Sequence, residues 1–121
     1  MSPKLISIVP KLPSRNCENT KLFYVGLLGF KLIGDYGDYV LVGLDGIEIH
    51  FFQFTDLNPH ENYGQVYIRV SNIDNLYLKV IQNAVQIHPN GSLSNKPWNQ
   101  REFSLLDPDN NLLTFGEGLM N

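Results

Sequence analysis

The chain repeats one order of sequence patterns, and this repeat constrains its fold more than any other feature. Each half opens with a β-rich run, passes through a short helical pattern and closes with two or three strand-like runs. A unit of ~60 residues built in this way cannot close a core of its own. The sequence therefore predicts an α+β fold in which paired βαβββ modules lie side by side and form a curved mixed sheet around a shared cleft.

The first module is predicted at about residues 4–55 and contains every element of this pattern. Its opening strand is expected at residues 6–9. A short amphipathic helix is expected within residues 13–30, where Asn and Ser supply caps and Gly29 supplies a stop. The strand-like runs that follow are separated by Gly and Asp-Gly turns and cover residues 31–34, 39–42 and 47–52.

The second module is predicted at about residues 64–119, after a linker at about residues 56–63. A strand at residues 66–70 leads to a helix for which Asn72 or Asp74 is the expected cap. The closing elements are a strand at residues 103–106, an Asp-Pro-Asp-Asn-Asn turn at 107–111 and a strand at 112–115. The turn fixes the register of its two strands, and it lacks the downstream Glu of a calcium loop.

Composition excludes several classes of protein. Hydrophobic residues make up 43% and charged residues 17%, which is typical of a folded globular chain. A net charge of −3 predicts no nucleic-acid partner and suits a cationic ligand better. The single Cys17 excludes an internal disulfide and is expected to be a buried or idle thiol. No apolar run is long enough to span a membrane and no signal-peptide core is visible, so the cytoplasm is the expected location.

Three segments carry a resemblance to a known family: LPSRNCENTKLFYVGLLGF, GIEIHFFQF and KPWNQREFSLLDPDNNLLTFGE. They occur in this order within about residues 5–117, so the resemblance covers nearly the whole chain. The chain resembles the bleomycin resistance protein branch of the glyoxalase/vicinal-oxygen-chelate superfamily. The resemblance implies paired βαβββ modules, a homodimer, and one small-molecule ligand per cleft at the subunit interface. Exchange of the N-terminal strand between subunits is left open.

The resemblance implies that the enzymes of this superfamily hold a divalent metal with His or Glu side chains from four strands. The positions that match in this chain are Val9, His50, Gln65 and Thr114. Only His50 is a competent ligand, because the others are an apolar side chain, an amide and a hydroxyl. We therefore predict no metal, no cofactor and no catalytic residue. A metal-dependent glyoxalase or dioxygenase of the same superfamily is the alternative.

The remaining interpretation is a protein that sequesters a bleomycin-type antibiotic, or a similar aromatic cation, without making bonds. Alternation along the strand at 47–52 places His50 and Phe52 on the same side as Glu48. The Trp98 indole is suited to stacking on a flat heteroaromatic group. The predicted ligand-binding residues are Tyr36, Tyr39, His50, Phe52, Gln65, Tyr67, Trp98, Arg101 and Thr114. Acidic side chains that suit a positively charged tail are Asp35, Asp38, Asp56 and Glu61.

Structural roles compete with these assignments. Trp98 has a second interpretation as a side chain that fills space beside the closing hairpin, and His50 as a hydrogen-bonded core residue. Arg101 and Glu102 have a second interpretation as side chains that pair with neighbouring residues across the sheet. The loop histidines His60 and His88 are expected to be solvated. A binding protein for another ligand and a purely structural or protein-interaction role also remain open.

Overall fold

The computed structural model of the protein describes residues 1–120, which form two four-stranded mixed sheets, two α-helices, a π-helical turn and a short 3-10 helix at Pro59–Glu61. The elements of the first half are β1 (Lys11–Ser14), α1 (Cys17–Lys21), β2 (Lys31–Asp35), β3 (Tyr39–Leu44) and β4 (Ile47–Gln53). Those of the second half are β5 (Gln65–Arg69), α2 (Ile73–Gln82), β6 (Ser94–Lys96), β7 (Gln100–Leu106) and β8 (Leu112–Gly118). The strand orders are β1-β4-β3-β2 and β5-β8-β7-β6, and in each sheet only the first pair is parallel. This repeated topology confirms the predicted α+β fold of paired βαβββ units.

Helix α1 lies within the segment for which the sequence predicts a helix in the first half, and it is the first part of a longer helical segment. The Asn16 side chain accepts the backbone N–H groups of Glu18 and Asn19 at 2.9 and 3.3 Å, which is an N-cap. After α1 the chain continues as a π-helical turn at Leu22–Leu27. Gly29 then ends the helical segment with a φ of 80°, which a residue without Cβ adopts at little cost.

Helix α2 starts directly after Asn72, which occupies the N-cap position as predicted but does not cap the helix with its side chain. Asn72 has a φ of 56° and makes no side-chain capping bond. The Glu117 carboxylate of β8 instead accepts the backbone N–H groups of Asn72 and Ile73, at 3.1 and 3.0 Å. A carboxylate at this end also complements the helix dipole.

The predicted strand at residues 6–9 is wrong. The first strand is β1, whose pairing with β4 begins at Lys11 opposite His50. Pro10 explains the boundary, because its backbone carbonyl accepts from His50 but it has no N–H to give to the ladder. The preceding side chains of Leu5, Ile6 and Ile8 are 103%, 94% and 95% exposed.

The helices cover one face of each sheet. Alternation along β4 buries Ile49 and Phe51 and leaves Glu48, His50 and Phe52 on the other face, as predicted. The buried core side chains on the strands of both sheets are Val40, Val42, Ile49, Phe51, Phe103, Leu105, Leu113 and Phe115. We call the uncovered faces the first open face (Lys11, Tyr39, Leu41, Glu48, His50 and Phe52) and the second open face (Gln65, Tyr67, Gln100, Glu102, Ser104 and Thr114).

The Asp-Pro-Asp-Asn-Asn turn forms as predicted, and it also joins the two halves of the chain. The Asp107 carboxylate accepts the Tyr24 hydroxyl and the Asn111 side-chain amide, both at 2.8 Å. Asp109 accepts from the Arg15 guanidinium at 2.7 Å, and Asn111 donates to the Pro13 carbonyl at 3.0 Å. Burial raises the pKa of Asp107. This set of contacts, which we call the clasp, fixes the first half against the second.

Two further predictions concern single features. Cys17 is buried as expected, and burial raises the pKa of its thiol. Within residues 1–120, no helix has the length and apolar character that crossing a membrane requires.

Candidate functional site

A hydrogen-bonded chain of three side chains occupies the first open face. The Tyr39 hydroxyl lies 2.9 Å from Nδ1 of His50, and Nε2 of His50 lies 2.8 Å from the Glu48 carboxylate. The carboxylate accepts from Nε2–H, so in the neutral imidazole Nδ1 is the acceptor of the Tyr39 hydroxyl. The Lys11 ammonium lies 5.6 Å from the centre of the Tyr39 ring. His50 is therefore held in one orientation beside Phe52, with both ring nitrogens engaged.

The residues at the four metal-ligand positions implied by the resemblance do not fit a divalent cation. Val9 has no donor atom, and both ring nitrogens of His50 already have protein partners. The Thr114 hydroxyl lies 2.8 Å from the Ser104 hydroxyl, a neutral pair with no charge to offset that of a metal. Across residues 1–120, no three His, Cys, Asp or Glu side chains are grouped so that they could hold a metal ion.

The second open face is organised around a buried carboxylate. One oxygen of Glu102 accepts the Tyr67 hydroxyl at 2.7 Å and the Trp98 indole N–H at 2.9 Å. Glu102 is only 7% exposed, whereas Trp98 is 61% and Tyr67 45% exposed. Burial, and after it the bond to Glu102, raises the pKa of Tyr67 to about 12. Two exposed aromatic rings thus stand above one anionic group.

Gly116 makes room for this arrangement. It lies on β8 between Arg69 of β5 and Glu102 of β7. The Tyr67 ring crosses over Gly116 to reach Glu102, and a Cβ atom at this position would overlap the Tyr67 hydroxyl. A glycine is therefore required for the contact between Tyr67 and Glu102.

Arg101, one of the predicted ligand-binding residues, lies on the helix-covered face of its sheet. Its guanidinium lies 2.8 Å from Asp74 of α2 and also bonds Asn95, so it points to the helix-covered side. Phe103 packs against the same side, and the alternation of β7 then turns Glu102 to the open face. Glu102 is the site residue that the prediction missed. The alternation of the apolar residues Phe103 and Leu105 indicates that Glu102 faces the other side of the strand.

The other predicted residues are distributed over the molecule rather than gathered in one pocket. Tyr36 is exposed in the turn between β2 and β3. Gln65 lines a shallow cavity of about 290 Å³ beside the linker, together with His60 and His88. Tyr67 and Glu48, one from each open face, both line a cavity of about 400 Å³ between β4, β5 and residues 7–10. This cavity, which we call the seam cavity, is therefore lined by side chains from both open faces.

Comparison with known proteins gives a consistent result. A family model described as "Glyoxalase-like domain" matches residues 8–120. Bleomycin resistance proteins of Geobacillus stearothermophilus and Staphylococcus aureus are 28% identical over 127 residues, covering 92% of this chain and 96% of each relative. A solved bleomycin-binding protein complexed with bleomycin superposes with a TM-score of 0.84 at 22% identity, over 94% of this chain and 99% of that one.

A second solved structure is similar to the same extent. The bleomycin-binding protein of Streptomyces verticillus, complexed with copper(II)-bleomycin, gives a TM-score of 0.82 at 23% identity, covering 97% of this chain and 99% of that one. At these identities the likeness shows that the folds are shared. What the chain binds has to be argued from its own residues.

Proposed function

The chain belongs to the glyoxalase-like domain family, and from this premise we propose that it is a metal-independent binding protein that sequesters a bleomycin-type antibiotic or a similar aromatic cation. The observation that carries the proposal is the pair of exposed rings, Trp98 and Tyr67, held over the Glu102 carboxylate. Relatives over nearly the whole chain are bleomycin resistance proteins, and a protein of the same fold was solved with bleomycin bound. Both facts support a ligand of that class.

The chemistry of the open faces suits such a ligand. Flat heteroaromatic groups stack on exposed indole and phenol rings, and a positive tail is attracted by a chain with a net charge of −3. Glu48 and Glu102 add a carboxylate to each open face. The seam cavity of about 400 Å³ has the size of a small-molecule pocket. Binding here needs no bond making, because the functional groups position and neutralise a ligand and do not activate it.

The proposed assembly is a homodimer. Each open face is a single wall, and a second copy of the chain would supply the opposite wall of a cleft. Three exposed apolar side chains, Leu5, Ile6 and Ile8, give the N-terminal segment a surface to bury against that copy. In each chain of the proposed dimer, module one covers about residues 4–55, the linker about 56–63 and module two about 64–119.

The proposal also includes a cytoplasmic location. Fractionation of cells that express the full chain with a small C-terminal tag tests this part. Recovery of the protein with an extracytoplasmic marker would contradict it.

A titration of chelator-treated protein with bleomycin tests the function. Trp98 is the only tryptophan of the chain, so its fluorescence reports on the second open face directly, and calorimetry gives the stoichiometry. We expect saturable binding of one drug per chain that Trp98→Ala abolishes and that Tyr63→Ala, which removes an exposed ring of the linker, leaves unchanged. Absence of binding, or binding that requires added Zn²⁺, Ni²⁺ or Mn²⁺, would overturn the proposal, and the second result would favour the metalloenzyme alternative.

A further inference from the structure

The Glu102 carboxylate has an unusual environment for a buried charge. Its two described hydrogen bonds come from neutral donors, the Tyr67 hydroxyl and the Trp98 indole. No Lys, Arg or His nitrogen within residues 1–120 forms an ion pair with it. Because a buried charge is stabilised most by an opposite charge, this carboxylate favours the approach of a cation.

The two rings that donate to the carboxylate are more exposed to solvent than the carboxylate itself. Trp98 and Tyr67 are exposed while Glu102 beneath them is buried. An N–H or O–H group that donates to an anion makes its aromatic ring richer in electrons, which strengthens attraction of a cation to the ring face. The rings and the carboxylate therefore act in the same direction on a positive group above them.

The protein's own cations show that these ring faces accept positive charge. The Arg69 guanidinium lies 5.5 Å from the centre of the Tyr67 ring. Lys96 lies on β6, the strand next to β7, opposite Gln100 in the ladder. Within residues 1–120, no cation is stacked on the Trp98 ring, which leaves that face for a ligand.

We propose that Glu102, Trp98 and Tyr67 form a subsite for a cationic group of the ligand, such as an alkylammonium or a sulfonium. Glu102 supplies the charge and also positions both rings, and Gly116 provides the space that the arrangement needs. This assignment rests on the proposed function for the identity of the whole ligand. The chemistry of the subsite is separate from it and is tested with small probes.

The test compares benzyltrimethylammonium with its uncharged isostere neopentylbenzene, by Trp98 fluorescence and calorimetry on the full chain. We expect the wild type to bind the cation roughly tenfold more tightly than the neutral probe. Glu102→Gln retains an acceptor oxygen but removes the charge, so it should bring this ratio close to one without weakening the neutral probe. Asp45→Asn, which removes an exposed carboxylate in the turn between β3 and β4, should leave the ratio unchanged.

Other outcomes would overturn the subsite. Equal loss of both probes in Glu102→Gln would mean that Glu102 only positions the rings. Equal binding of both probes by the wild type would mean that no cation preference exists. If Glu102→Gln does not fold, nuclear Overhauser effects between the N-methyl protons of the bound cation and the Trp98 and Tyr67 rings of the wild type replace it, and their absence would also overturn the proposal.

Bleomycin separates this inference from the proposed function. A wild type that prefers the cationic probe but does not bind bleomycin keeps the subsite and loses the function. A wild type that binds bleomycin as tightly as its Glu102→Gln variant does keeps the function and loses the subsite.

Discussion

At the scale of single residues, Gly116 is the position where the smallest change should have the largest effect on the second open face. Gly116→Ala places a methyl group where the Tyr67 hydroxyl lies, so Tyr67 must leave Glu102. We expect the free energy of unfolding to fall by about 1–3 kcal/mol, and Trp98 emission to change as the shared carboxylate moves. Urea unfolding followed by far-UV circular dichroism and by fluorescence measures both effects.

Gly26→Ala is the matched control, because nothing lies within 4 Å of the added carbon there. It should leave both readouts close to those of the wild type. A Gly116→Ala protein as stable as Gly26→Ala would contradict the packing of Tyr67 over β8.

The same residues show how far a sequence predicts a site. Period-two alternation places His50 and Phe52 on one face because β4 is a regular strand with a clear apolar side. Arg101 follows the phase set by Phe103 on β7, which turns it to the helix-covered face and Glu102 to the open face. Its partner Asp74 lies on a helix distant in sequence, and no local pattern shows that contact. Alternation alone predicts Glu102, but not the three-way contact with the rings.

At the scale of elements, helix α2 depends on a cap from another strand. Glu117→Ala removes the acceptor for the Asn72 and Ile73 amides, so two donors at the start of α2 lose their partner. We expect a loss of about 1 kcal/mol in the free energy of unfolding and faster hydrogen exchange at these amides. Glu117→Gln keeps one acceptor and should lose less, and Glu61→Ala should lose nothing. Unchanged exchange in Glu117→Ala would contradict the cap.

Element boundaries were predictable where turn chemistry marks them. Asn16 and Gly29 bound the first helical segment, and the Asp-Pro-Asp-Asn-Asn turn separates β7 from β8. The strand expected at residues 6–9 failed because periodicity describes side chains, while a strand needs backbone donors that Pro10 does not have. The sequence does not indicate strand β6, because its residues, Ser-Asn-Lys, are polar and have no alternation.

At the scale of the whole molecule, the clasp makes stability depend on the ionisation of Asp107. Burial raises the pKa of this carboxyl above its ordinary value of 3.8, so the folded state favours the protonated form more than the unfolded chain does. The stability it contributes is therefore complete below pH 3.8 and is lost as the pH rises through the raised pKa. Asp107→Asn removes this dependence.

We therefore expect the free energy of unfolding of the wild type, minus that of Asp107→Asn, to fall as the pH rises above about 4. Urea unfolding between pH 3.5 and 7 measures the difference. The variant should also be less stable at pH 3.5, by about 1–3 kcal/mol, because its amide group faces donors. Asp56→Asn, in the exposed linker, provides the control. A difference that rises with pH would contradict the assigned direction.

The exposed apolar side chains of the N-terminal segment predict that two chains assemble into a dimer. Leu5, Ile6 and Ile8 are almost fully exposed in a single chain, and each side chain contributes about 1.5–3 kcal/mol when buried against a partner. Replacing all three by Ser should raise the dimer dissociation constant at least tenfold, as measured by sedimentation velocity over a range of concentrations.

A matched variant with Leu22, Leu78 and Met120 replaced by Ser removes the same kind of exposed apolar surface from other regions of the chain. It should sediment like the wild type. If two copies complete each cleft, bleomycin affinity must fall together with the dimer fraction in the N-terminal variant and recover at higher protein concentration. A wild type that remains monomeric at all concentrations, yet binds the drug, would place the whole site within one chain and make the seam cavity its centre.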